Sequence, residues 1–338
     1  MICVTACDAT PDRDQAQVDR HFPGPCTEAA YGEGVAAADA PRKLRGYVYD
    51  AAGRPVLSDT FNTDGSLASR TRWRFDDRGE PVEYAIYAGS VLSLRGVCVN
   101  TYTDGRLVLS VCDQGPDGPD GISDTTVRRT YDAAGRVTRI ESAGASRWRP
   151  TDAVQTFTYD AAGRVLVEAM FDLTGTPVAR TTHTYDATGH EVREVEDDAD
   201  PTTPPHETHT TWDTDGRVEA TVERFADPDG LPTEIRTSHT YDAAGHLVRS
   251  EARSFVAGEP SVLGTTVTIF TYDAEGRLRS AQRDEDGWQG SDAVGPPTRQ
   301  ITSYDAMGNP LRVENTSDGQ RGGTGTLYTY SDTCWPRP

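Results

Sequence analysis

The side chains in this sequence that could do chemistry are histidines, carboxylates and thiols, and their spacing decides which reactions are open to them. His206 and His209, in "PHETHTTWD", could offer imidazole nitrogen to a divalent ion. Their spacing is neither the helical pair of a zinc protease nor that of a zinc finger, and His209 runs into Trp212 on what reads as a strand, so surface histidines are expected. Asp113, Asp117, Asp120 and Asp124, in "CDQGPDGPDGISD", are oxygen ligands of the kind calcium uses. They match no EF-hand spacing, and the glycines and prolines between them read as a solvated insertion. No glycine-rich phosphate loop follows a strand and opens a helix, and no GxSxG elbow is present. A pair of acids could still act on a glycan inside a folded sheet, but the carboxylates fall in turns, where they have structural work. The expectation is a protein with no catalytic residue, no metal and no cofactor.

Six cysteines stand at 3, 7, 26, 98, 112 and 334, none in a CxxC pair. Val4-Thr5-Ala6-Cys7 resembles the lipobox before a lipidated cysteine, without the charged and apolar regions that normally precede it. The hypothesis is that the start codon lies upstream and Cys7 is the lipidated first residue; the alternative is coincidence. An upstream start with no basic-plus-apolar segment would remove it. Cys98 and Cys112 flank "YTDGR" with Gly105 at their midpoint, which makes them a candidate disulfide across one hairpin. A plain two-residue Asp104-Gly105 loop would set Cys98 opposite Val111, so the pairing needs a bulge or an odd loop. Cys26 with Cys334 is a second candidate.

The elements that position these groups follow from a repeat. "YDAAGR" begins at Tyr49, Tyr131 and Tyr159, with relatives at Tyr185, Tyr241, Tyr272 and Tyr304, worn copies at Phe75 and Trp212, and a shortened one at Tyr102. The ten aromatics are 26 to 32 residues apart, and a fixed period of this kind sets the architecture. Around each copy, apolar residues alternate with polar ones on both sides of a short glycine-ended turn, as in "VQTFTYD" and "RVLVEAMF", which is the pattern of a β-hairpin. Asp leads the turn to accept its backbone amides, and Gly takes the left-handed conformation. The repeat residues are therefore Tyr49, Asp50 and Gly53; Tyr131, Asp132 and Gly135; Tyr159, Asp160 and Gly163; Tyr185, Asp186 and Gly189; Tyr241, Asp242 and Gly245; Tyr272, Asp273 and Gly276; Tyr304, Asp305 and Gly308. Tyr159 is expected to pack across its hairpin on Val165. His183 and His239 both stand two residues before a motif tyrosine, and His190 and His246 replace the arginine after the glycine, so duplication explains their recurrence.

Second turns such as "NTDGS" at Asn62 and "DLTGT" at Asp172 separate the copies. Each repeat then supplies two strands, and ten supply about twenty in an antiparallel meander that must curl. One closed turn of twenty strands would be about 30 Å across, too narrow for a cargo domain. The fold class is all-β, with antiparallel hairpin repeats forming a large curled or spiral sheet. Residues 1–45 are expected to be an N-terminal segment and linker, 46–331 ten repeats, and 332–338 a tail. The formal charge of −20 opposes binding to nucleic acid or anionic lipid. Lys43 is the only lysine among 33 basic residues, which reads as codon bias. No apolar run is long enough for a transmembrane helix.

The ten "YDxxGR" copies resemble the RHS, or YD, repeat. The resemblance covers Tyr47 to about Tyr330 and implies long hairpins wound into a hollow β-shell, which in large bacterial members encloses a toxic C-terminal segment. The chain departs from those members in lacking, after the repeats, the Asp-Pro-x-Gly boundary at which they self-cleave. "DPDGL", Asp227 to Leu231, resembles that signature but sits mid-array, where Asp, Pro and Gly suit an ordinary second turn. The expected function is a non-enzymatic scaffold or binding module, secreted or lipid-anchored at a bacterial envelope, with a glycan or another surface protein as partner. The alternatives are an orphan shell fragment of a polymorphic toxin, and a lectin using exposed Tyr and Trp at the strand ends.

Overall fold

The computed structural model describes residues 24–31 and 42–330, except 63, 116–117, 122–123, 145–151, 200–201, 227–229, 260–261, 287–288, 291–292, 295–297 and 318–323. Each repeat folds as its turn chemistry requires. At the copy led by Tyr159, the Gly163 amide donates to the Asp160 carbonyl at 3.1 Å and the Asp160 amide to the Arg164 carbonyl at 2.9 Å. Gly163 sits at φ 90°, where a Cβ would be strained. The Arg164 amide and guanidinium both donate to the Asp160 carboxylate, at 2.9 and 2.6 Å. The turn ends in a bulge: pairing slips between Thr158 and Tyr159, so that Tyr159 faces Val165. The same slip recurs at Tyr131, Tyr185, Trp212, Tyr241, Tyr272 and Tyr304.

Among the described residues, twenty-two antiparallel strands form one sheet, each paired with its neighbours in the chain, from Arg42–Tyr49 through to Thr324–Thr329. The meander does not stay open and does not spiral. Thr27–Tyr31, inside the segment expected to be a linker, pairs with Arg42–Tyr49 on one side and Thr324–Thr329 on the other, and this closes a barrel. Closure removes both sheet edges, whose unpaired amides and carbonyls would otherwise face water or another chain. Gln289–Gly290 and Ala293–Val294 form a separate two-stranded insert. The motif turns, falling at every second connection, all lie on one rim.

The barrel is hollow. Two walls packed on each other, about 10 Å apart, would bury most inward side chains, whereas among the described residues most of them stay partly exposed. Only a few apolar side chains are fully buried, and Cys26 and Tyr49, with Tyr47 and Tyr330 against them, cluster at the closing seam. With the usual strand tilt, twenty-two strands give a circular barrel roughly 45 Å across, wider than the sequence-based figure.

Alternation gives the wall two unlike faces. One carries Trp73, Tyr84, Ile86 and Cys98; it is the more crowded, and a concavity spanning seven strands opens on it, which marks the inside. The other carries carboxylates held between arginines: Glu83 by Arg74 and Arg95, Glu234 by Arg224 and Arg236, and Glu251 by Arg249 and Arg253. Hydrogen bonds from Arg249 and Arg253 hold the Glu251 carboxyl below its usual range. A transmembrane barrel needs an apolar outer band, and each arginine at mid-bilayer on that face costs about 2–4 kcal/mol. This wall has the opposite polarity.

Candidate functional site

The geometry of the motif residues gives them to the wall. The Arg136 guanidinium carbon lies 4.5 Å from the centroid of Tyr159, one repeat on, while its Nε donates to its own turn's Asp132 at 2.7 Å. The Tyr159 hydroxyl then donates to the Val137 carbonyl at 2.6 Å. Tyr185, Tyr241 and Tyr272 repeat this reach-back to Val165, Val218 and Leu247, and Trp212 does it with its indole N–H to Glu191. Arg164 and Arg217 lie over Tyr185 and Tyr241, and His190 and His246 stack on Trp212 and Tyr272 at 4.6 and 4.7 Å. Asp, the cation and the next aromatic thus form a ladder along one rim. Tyr159 does face Val165, but its ring and hydroxyl serve the preceding repeat. These half-buried, stacked aromatics are not the exposed platforms that the lectin alternative required.

At the tenth copy, Asn309 replaces the arginine and donates to Asp305 at 2.8 Å, both buried. At the seam, Tyr49 donates to the Pro25 carbonyl, at 3.1 Å. Burial, followed by the neighbouring Tyr47 and Glu28, pushes the Tyr49 hydroxyl up to about 12.

The other expected residues separate. His206 and His209 project to opposite faces, as a spacing of three in a strand dictates, and cannot share an ion: His206 packs edge-on to Phe225 inside, while His209 bonds Glu207 outside. In the acidic loop, Asp113 accepts the amides of Asp120 and Gly121, and Asp124 accepts the amide of Gln114. Asp117 lies outside the described residues, as do Cys3, Cys7, Cys334 and Asp227. Cys26 is disulfide-bonded.

Cys98 and Cys112 are joined in a disulfide with their Cα atoms 4.1 Å apart. The loop is the plain two-residue Asp104-Gly105, with φ of 48° and 78°. A slip between Thr101 and Tyr102 restores the Cys98–Cys112 pairing. The bridge lies on the inner wall, beside a hollow of about 580 Å3 lined by Trp73, Phe75, Tyr84, Ile86 and Leu107. Trp73 and Tyr84 face each other across adjacent strands. Tyr84 leans over Gly96, where a Cβ would fall 2.4 Å from its ring, and its hydroxyl donates to Gln114 Oε1. Burial pushes that hydroxyl's pKa up, so it remains a donor at neutral pH. Sequence reading missed this hollow; its one local signal was Gly96, a glycine inside a strand, which marks a close approach.

Three solved structures align with most of this chain at low identity. A chain of the Photorhabdus luminescens Tc holotoxin pore aligns with 85% of this chain and 16% of its own length, at 15% identity and a TM-score of 0.42. This chain therefore spans about a sixth of that toxin chain. A porin-like protein from Bacteroides uniformis aligns over 92% of this chain and 98% of its own, at 11% identity and a TM-score of 0.30. Another from Bacteroides vulgatus covers 91% and 98%, at 9% identity and a TM-score of 0.25. No family model and no curated protein matches the sequence.

Proposed function

We propose that the protein is a non-enzymatic RHS/YD-repeat scaffold, secreted or held at the bacterial envelope, that binds a ligand inside its barrel. The observation that carries this reading is the hollow beside the Cys98–Cys112 bridge. Aromatic faces at Trp73 and Tyr84 stand there among the hydroxyl and amide groups of Thr71, Ser110 and Gln114. An aromatic platform ringed by hydrogen-bonding groups on a rigid wall suits a ligand with apolar faces and polar edges, of which a saccharide is one class. The charged exterior supports a role in water rather than in a bilayer. The motif residues supply the framework, and no arrangement of them supports catalysis.

The test is a glycan array probed with the full chain, followed by tryptophan fluorescence titration of any hit. Binding that is lost in Trp73→Ala and kept in Trp212→Phe supports the reading. Binding that survives Trp73→Ala places the ligand elsewhere and overturns it.

A further inference from the structure

We infer that the inner wall holds a divalent transition-metal ion, of the class of zinc or cobalt, on His183 Nδ1 and the carboxylates of Glu191 and Glu194. The three ligand atoms lie within 4.8 Å of one another. Nδ1 is 2.7 Å from Glu191 Oε1 and 3.5 Å from Glu194 Oε2. In a tetrahedron with bonds of about 2.0–2.1 Å, ligands stand about 3.3 Å apart, so small rotations complete the set and leave room for water. One imidazole with two carboxylates suits this class better than calcium, which favours oxygen alone.

Two observations independent of the clustering point to a ligand. The first is the far side of the ring. His183 Nε2 is fully buried and has no hydrogen-bond partner, while Glu168 Oε1 stands 4.0 Å away. An ion on Nδ1 fixes the proton on Nε2 and directs it at Glu168, the carboxylate–histidine–metal arrangement that orients ligating histidines. The second is what the sister repeats carry. Six residues after the motif aromatic, at the position of Glu191, the other full-length copies have Pro55, Pro81, Val137, Val165, Val218, Leu247, Leu278 and Pro310. Nine residues after it, an acid occurs only at Glu168 and Glu194, on the two strands that flank His183. Turn formation accounts for none of these three carboxylates. His239 occupies the same repeat position as His183 but faces Ser250, with Leu247 beyond, and is an internal control.

The bulge makes the cluster. His183 and Glu194 are directly opposite, and the slip between Thr184 and Tyr185 brings Glu191 onto their face, where plain alternation from Glu194 would place it outside.

The test is titration of the full, chelator-treated chain with cobalt, read by its visible absorption, and with zinc by calorimetry. One equivalent is expected, unmoved by excess calcium. His183→Phe and Glu191→Leu install residue types that other repeats carry at these places, and both should abolish binding. His239→Phe should leave it unchanged, and Glu168→Gln should weaken it about tenfold at the same stoichiometry. In the unmodified chain, the His183 Nδ1 resonance should shift on adding zinc, a readout that needs no variant to fold. No shift at His183, binding that survives His183→Phe, or displacement by calcium would each overturn the assignment.

Discussion

Arg136 lies over the ring of Tyr159, and that same tyrosine donates its hydroxyl to the carbonyl of Val137, the residue that follows Arg136. The motif's aromatic therefore belongs energetically to two repeats: its own hairpin sets its position, and the hairpin before it receives its ring and its hydrogen bond. Tyr159→Phe should lower stability by about 0.5–1.5 kcal/mol by leaving a half-buried carbonyl without its donor. Arg136→Ala should cost about 1 kcal/mol. Because the guanidinium rests on the ring, which Phe would keep, a double-mutant cycle of Arg136→Ala with Tyr159→Leu in urea should show coupling, and strict additivity would refute the shared ladder.

Acid should weaken the barrel in two steps. His239 is pushed below its ordinary 6.5 by burial, so the unfolded chain takes up its proton first, and stability declines gently as pH falls from 6.5. Asp132, Asp160, Asp213 and Asp242 are held below 3.8 by the backbone amides of Arg136, Arg164, Arg217 and His246. Their contribution is present above 3.8 and lost as pH falls through the lower folded values, so the steeper loss lies there. His239→Phe should remove the first step and keep the second in a thermal-melt series against pH.

Reducing the Cys98–Cys112 bridge should destabilise the chain by about 2–3 kcal/mol, the scale for a closed loop of this length. Cys98→Ala/Cys112→Ala should melt lower than the oxidised parent and match it when both are reduced. Hydrogen exchange should quicken first in 91–115, the strands the bridge holds together.

Removing one period should leave a folded barrel. Deleting residues 212–240 joins Thr211 to Tyr241, takes out two strands in register and puts Tyr241 where Trp212 stacked on His190. A twenty-stranded barrel is expected, with cooperative unfolding and a smaller radius of gyration by small-angle scattering. A soluble but unfolded product would show that closure depends on the strand number.

The repeat unit was legible because its causes are local. Asp160 and Gly163 build a turn from atoms within four residues, and alternation along 153–159 and 167–172 reads the two faces directly. The ladder was half legible: the recurrence of Tyr, Asp and Arg was plain, but the partner of each Arg lies in the next copy. The hollow and the His183 cluster were hidden by the bulge, since one extra residue reverses which side chains share a face, as it does for Glu191.

By itself the sequence determines an all-β chain of hairpins with their turns on a common rim, because turn geometry and period-two alternation are short-range. Tertiary structure alone decides that the sheet closes. Thr27 meets Thr329 across 302 residues of chain, and no local preference selects which two edges pair. Accumulated twist brings the ends together, and the unsatisfied backbone groups of both edges then hydrogen-bond through Thr27–Tyr31.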